Sequence, residues 1–250
     1  MISYKSQREL DLMLHAGQVL KRLFERVEDL LVPGVTTKKV DKDIHSWMLA
    51  EGCTPSFLGY YGFPAVSCIS VNEEVVHGIP GPRALREGDL VTVDLGVIWE
   101  GMHADAARTY AVGKVSDAAR KLMDTAREAL DLGIAQIVAG ARLSAIGGAV
   151  QRHAEDRGYS VVRDYVGHGI GRELHEDPQV HNYVDEKTLR RDLLMKPGLV
   201  VAVEPMVNAG THEVVKLADG WTVVTKDRKL SAHFEDTVAL LATGPKILTR

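Results

Sequence analysis

Four acidic side chains stand inside apolar runs of this sequence, where a carboxylate needs a chemical reason. Asp94 closes "GDLVTVD" and precedes Leu95, Gly96 and Val97, and Asp105 follows within "MHADAARTY". Glu204 ends "GLVVAVE" directly before Pro205, and Glu235 sits in "SAHFEDTVALL" with Phe234, Val238 and Leu240 around it. A lone ionised carboxylate in a buried strand is costly unless it is paired, hydrogen-bonded or bound to a metal. If the chain turns near Trp99 to Gly101, hairpin pairing brings Asp105 opposite or diagonal to Asp94. Two like charges then face each other, and a shared proton or an intervening cation must relieve them.

No lysine or arginine lies inside these strand runs; Arg108, near Asp105, is the one close candidate. The glycine-rich "YVGHGIGRELHEDPQVHNY" offers His168 and His175, either of which can give a neutral imidazole to a divalent metal. Four carboxylates and an imidazole are too many ligands for one tetrahedral ion. They suit Mn²⁺, Fe²⁺, Co²⁺ or Zn²⁺ and match a two-metal hydrolytic site, with ions about 3.5 to 4 Å apart and an activated water between them. "GHGIG" lacks the G-x-G-x-x-G spacing and the following Lys-Ser/Thr of phosphate loops, and "HEDPQ" is not H-E-x-x-H.

The elements that must carry these residues can be read from pattern. Ser6 with Glu9 forms a capping box that opens a helix with Leu10, Met13, Leu14, Ala16, Gly17 and Leu20 on one face, ended by Pro33-Gly34. Further helices are predicted over 36–49, 116–139 and 143–157. Strands are predicted over 66–71, 89–99, 102–112, 160–165, 199–208, 221–225 and 231–242. The chain also echoes itself: "PGVTTKKVDKDIHSWMLAEG" aligns with "AGARLSAIGGAVQRHAEDRG", matching Gly34 with Gly140, Val40 with Ile146, Ile44 with Val150 and Gly52 with Gly158. "VVHGIPG" around His77 echoes "VGHGIGR" around His168, and the run ending at Asp94 echoes the run ending at Glu204. This predicts a single domain over 1–250, made of two similar α+β halves, about 1–112 and 113–250, whose strands join one antiparallel sheet with helices on its outer face.

Composition bounds the partners. With 45% hydrophobic and 26% charged residues among 250 and a net charge of −4, the chain reads as globular, with no basic patch for nucleic acid. Cys53 and Cys68 are too few for a disulfide framework, and no apolar run reaches membrane-spanning length, so a cytoplasmic protein is expected, with neither DNA nor membrane as partner.

Taken in order, "SQRELDLMLHAG", "CISVNEEVVHGIPG", "VTVDLGVIWEGMHADAARTYAVG", "YVGHGIGRELHEDPQV", "VVAVEPMVN" and "GWTVVTKDRKLSAHFEDTVAL" resemble the type I methionine aminopeptidases over essentially the whole chain. The resemblance implies an α+β pita-bread fold, pseudo-twofold halves around a curved antiparallel sheet. It implies a dinuclear centre of two divalent ions (Co, Mn, Fe or Zn) on Asp94, Asp105, His168, Glu204 and Glu235, with Asp105 and Glu235 bridging. Hydrolysis would release the N-terminal methionine of nascent polypeptides whose second residue is small. Glu204 would also shuttle the water's proton, His175 would stabilise the oxyanion, His77 would contact the amide of the second residue, and the free α-amino group would bind a metal. Tyr60, Cys68 and Trp221, with His77 and Phe57, would line the methionine slot. A monomer in transient association with the ribosome fits this picture. Only 30 residues separate Glu204 from Glu235, which leaves no room for the insertion of type II enzymes and indicates a bacterial-type short form. Leu174 stands where the family commonly has Phe, Tyr61 where many members have His, and His233 and Asp236 where Gln and His are frequent, which bears on the pocket rim and metal choice. The alternatives are an X-Pro aminopeptidase or prolidase-like peptidase, and a non-catalytic pita-bread binding protein.

Overall fold

The computed structural model describes residues 2–190 and 192–250. Helix α1 (Gln7–Leu30) opens on the predicted capping box: Ser6 Oγ accepts the Glu9 N–H at 3.4 Å, and Glu9 Oε2 accepts the Ser6 N–H at 2.9 Å. Helix α2 (Thr37–Ala50) is capped by the Thr36 side chain. Strands β1 (Thr54–Pro55), β2 (Ser67–Val71) and β3 (Glu74–Val76) lead to a long hairpin of β4 (Leu90–Trp99) and β5 (Met102–Ala111). Its two-residue loop, Glu100 and Gly101, has φ of 46° and 79°, the paired left-handed geometry that matches strand twist. Helices α3 (Asp117–Ile134) and α4 (Ser144–Glu155) open the second half. There follow β6 (Ser160–Val161), β7 (Gly167–Gly169), β8 (Glu176–Val180), the short α5 (Glu186–Arg190), β9 (Val200–Val203), β10 (Met206–Asn208), β11 (Val214–Lys216), β12 (Val223–Thr225), β13 (Ser231–His233), β14 (Glu235–Leu241) and β15 (Gly244–Ile247).

One nine-stranded sheet runs in the order β1-β4-β5-β14-β9-β7-β8, with β2 also pairing β4 and β15 pairing β14, and every ladder is antiparallel. Strands from before and after the α3–α4 pair thus meet at β5 and β14. Smaller sheets, β13-β10-β6 and β11-β12-β3, flank it. The expected α+β pita-bread architecture, a curved antiparallel sheet covered by helices, is the one present.

Pleat parity explains the cover. Val91, Val93, Leu95 and Val97 turn one way and pack with Leu20, Leu23, Ile44 and Met48 of α1 and α2. Val201, Val203, Val238 and Leu240 do the same with Leu122, Leu130, Ile146 and Val150 of α3 and α4. The intervening residues face the side without helices. The glycines matched by the repeat share a conformation: Gly34 and Gly140 have φ of 94° and 83°, Gly52 and Gly158 of 74° and 79°.

The structure differs from the predicted elements mainly where long runs break. The 199–208 run is interrupted at Glu204-Pro205, because a prolyl nitrogen cannot donate to a ladder. The 231–242 run breaks at Phe234, passing from one sheet to another, and 160–165 shrinks to two paired residues.

Candidate metal centre

Register places the acidic residues side by side. Across the sheet, Asp94 of β4 lies opposite Ala107 of β5, and Ala107 lies opposite Glu235 of β14, so the three point to one face. Asp105, two residues before Ala107, shares that face and is diagonal to Asp94. A second row runs from Thr237 of β14 through Ala202 of β9 to His168 of β7, and Glu204, two residues beyond Ala202, joins it. Small residues, Ala107 and Ala202, separate the large polar ones, leaving room between them. All five expected ligands therefore stand on the face that the helices leave open.

Thr237 ties the strands where the two-pair β5–β14 ladder ends: its Oγ accepts the Asp105 N–H at 2.9 Å and donates to the Asp105 carbonyl at 2.7 Å. Atoms of Asp105, His168 and Glu235 lie within 4.8 Å of one another. His168 Nε2 is 3.9 Å from Asp105 Oδ2 and 3.6 Å from Glu204 Oε1. Its Nδ1 hydrogen-bonds to the Gly169 carbonyl at 2.9 Å, so Nδ1 carries the hydrogen and the Nε2 lone pair faces the cluster.

Electrostatics show what the cluster lacks. Burial pushes the Asp105 carboxyl up to about 7. Burial, followed by the neighbouring carboxylates, raises Asp94, Glu204 and Glu235 well above the usual range. Burial lowers His168 to about 3, which keeps the ring neutral and able to ligate. Buried oxygens of Asp94, Asp105 and Glu235 have no hydrogen-bond partner. Arg108 gives them no help, because it lies on the opposite face, where Nη2 pairs with Asp236 at 2.6 Å. Oxygen-rich donors, one neutral imidazole, unsatisfied buried oxygens and no cationic side chain among them fit divalent ions.

Beside this centre lies an apolar slot. Cys68 is directly opposite Asp94 in the β2–β4 ladder, its thiol driven well up by burial and by Asp94. Phe57 packs over Gly96, where an added Cβ would come within 2.7 Å of its ring. Phe57, Cys68 and Leu174 share one apolar cluster with Phe63, and Tyr60 and Trp221 pack against it. Trp221 meets Phe63 edge-on at 5.1 Å and His77 at 6.3 Å. His77 has a φ of 59°, a conformation a non-glycine residue seldom adopts, and burial lowers its ring to about 4. The His175 ring lies 4.2 Å from the His168 ring, tilted 57° to it, and the Tyr60 hydroxyl reaches its Nδ1 at 2.7 Å.

The residues expected from sequence thus converge, while Tyr61, 86% exposed, faces solvent. Sequence reasoning missed Phe63, which the aromatic run Tyr60-Tyr61-Gly62-Phe63 could have suggested, and Tyr165, whose ring lies 5.5 Å from His77. Thr237 gave no signal, since its clasp depends on where β5 and β14 part.

Residues 11–242 match the model of metallopeptidase family M24. The chain is 48% identical over 249 residues to the methionine aminopeptidase of Clostridium perfringens, covering 100% of this chain and 99% of that protein. It is 47% identical over 250 residues to methionine aminopeptidase 1 of Bacillus subtilis, covering 100% of each. The solved structure of methionine aminopeptidase from Thermotoga maritima matches with a TM-score of 0.96 at 40% identity, each chain covered in full.

Proposed function

The chain belongs to metallopeptidase family M24 and within it to the methionine aminopeptidases, and from that premise we propose that it removes the N-terminal methionine of nascent polypeptides whose second residue is small. The observation that carries this reading is the convergence of Asp94, Asp105, His168, Glu204 and Glu235 on the helix-free face, with a buried oxygen of each of Asp94, Asp105 and Glu235 unpartnered, beside an aromatic slot.

Two divalent ions would be held by these five side chains, Asp105 and Glu235 touching both. Such ions polarise the scissile carbonyl and lower the pKa of the attacking water. Glu204 would take the water's proton and pass it to the leaving amine. With the Tyr60 hydroxyl, 2.7 Å away, donating to His175 Nδ1, the ring hydrogen would sit on Nε2 and donate to the developing oxyanion. His77, kept neutral by burial, meets the amide of the second residue. The methionine thioether enters between Phe57, Tyr60, Phe63, Cys68 and Trp221, whose aromatic faces suit a polarisable sulfur.

We also propose that it acts as a monomer in the cytoplasm, where its two buried free cysteines stay reduced; no described helix is long and apolar enough to cross a membrane. The test is to reconstitute the protein with Mn²⁺ or Co²⁺, incubate it with Met-Ala-Ser and with an Ala-Pro peptide, and quantify released amino acid by mass spectrometry. Methionine from the first peptide alone is expected. Alanine from the second would make the chain an X-Pro peptidase, and release from neither, with metal bound, would make it a binding protein.

A further inference from the structure

One buried imidazole at the centre has no role in the scheme above. His233 ends β13, is 1% exposed, and neither of its ring nitrogens has a hydrogen-bond partner. Polar atoms so deeply buried are nearly always satisfied, and exceptions mark places where a partner arrives with a ligand or a small movement.

The surroundings of His233 identify that partner. Its main chain is fixed on both sides: Thr109 Oγ accepts the His233 N–H at 3.0 Å and donates to the His233 carbonyl at 2.8 Å. The Glu204 main chain is fixed as well, its carbonyl accepting from Asn182 Nδ2 at 3.0 Å. Between these anchors, His233 Nε2 faces Glu204 Oε2 at 3.9 Å, while Glu204 Oε1 faces His168 Nε2 at 3.6 Å. Glu204 therefore stands between two imidazoles, one for each oxygen. His168 turns a lone pair toward it, because its ring hydrogen is spent on the Gly169 carbonyl. Among the described residues, no other side chain pairs with the Glu204 carboxylate.

We propose that His233 is a positioning residue that donates Nε2–H to Glu204 Oε2 and thereby aims Oε1 at the ion held with His168. A turn of the Glu204 side chain closes the gap to hydrogen-bonding distance, about 2.9 Å. Partners of this kind fix the orientation of a ligating carboxylate and tune its affinity for metal. The role rests on Glu204 being a ligand, as proposed above, and the experiment separates the two assignments.

Metal-free wild-type protein and the variants H233Q, H233L, H233N and E204Q are titrated calorimetrically with MnCl₂, after circular dichroism has established that each is folded. Glutamine carries an N–H donor close to the position of Nε2; leucine carries none, and asparagine is too short to reach Oε2. H233L and H233N should bind the tightest Mn²⁺ about 10- to 100-fold more weakly. They should lower kcat on Met-Ala-Ser with KM little changed, and H233Q should stay within about threefold of wild type. H233N keeps the test open should H233L not fold. Wild-type Mn²⁺ affinity in the folded members of that pair would overturn the proposal. So would an H233Q variant as weak as they are, since that would make the imidazole a direct ligand. Wild-type affinity in E204Q would instead remove the ligand assignment beneath it.

Discussion

Asp105 divides its work between backbone and side chain. Its N–H and carbonyl are clasped by Thr237, while Oδ1 has no partner and the carboxyl is pushed up to about 7 by burial. Asp105→Asn preserves the clasp and the volume and removes only the charge. Losing an outer partner of a metal ligand already costs about 10- to 100-fold, so losing a carboxylate proposed to bridge two ions should reduce methionine release by more than about 100-fold. Metal content by elemental analysis should fall, whereas the EDTA-treated variant should melt above EDTA-treated wild type at pH 8, being relieved of a buried negative charge. Retained metal and turnover would show that the bridging role is wrong. The acids were legible in the sequence because each interrupts an apolar run that would otherwise be unremarked strand. The bond from Tyr60 to His175 spans 115 residues, and no local pattern announces a contact of that range. His233 was visible only as a flanking residue, since its meaning depends on a break at Phe234 that folds it toward Glu204.

At the scale of elements, helices with caps and apolar stripes were legible nearly to the residue, as at α1 and α2. The strands that hold the second half of the centre were not. β7 is only Gly167–Gly169, too short to alternate, and its reason for being glycine-rich is spatial. A Cβ on Gly169 would lie 2.2 Å from the Asp177 carbonyl oxygen, which belongs to the β8 backbone and cannot step aside. Gly169→Ala must therefore part β7 from β8 at the irregularity beside His168. It should destabilise the fold by about 1–3 kcal/mol in urea melts and weaken Mn²⁺ binding, because the displaced residue adjoins His168, a proposed ligand. Gly148→Ala is the control: its nearest neighbour is the flexible Val184 side chain at 3.6 Å, and within α4 alanine should be neutral or stabilising. Equal losses in the two variants would remove the packing argument.

Across the whole molecule, the centre lies where the two halves of the chain meet, Asp94 and Asp105 coming from one and His168, Glu204 and Glu235 from the other. We propose that residues 1–112 and 113–250 are the units of one catalytic domain, a reading supported by the shared glycine conformations and by the common sheet. In the large sheet their direct ladder, β5 with β14, has only two residue pairs, and β3 with β12 adds two more in a smaller sheet, so bound metal should contribute to holding them together. Protonation makes this testable. The carboxyls of Asp94, Asp105, Glu204 and Glu235 are all raised in the folded chain, so without metal the folded state retains protons that the unfolded chain has already released. Stability from these groups is complete below the ordinary carboxylate range and is lost as pH rises through the raised values, about 7 for Asp105. Histidines act in the other direction: His168 and His233 are lowered to about 3, and His77 and His103 to about 4. Their contribution grows with pH only up to about 6.5, where imidazoles of the unfolded chain also become neutral. Between about pH 6.5 and 8.5 the carboxyls therefore dominate, and the melting temperature of EDTA-treated protein should fall. Each pH unit over which one proton is retained is worth about 1.4 kcal/mol, or roughly 3–6 °C in a chain of this size. Saturating Mn²⁺ takes the place of those protons, so the metal-loaded protein should melt at nearly constant temperature and the gap between the two forms should widen with pH. Calorimetric melts with Mn²⁺ and with EDTA at several pH values measure that gap. A constant or narrowing gap would mean that the buried carboxyls do not hold their protons until metal displaces them.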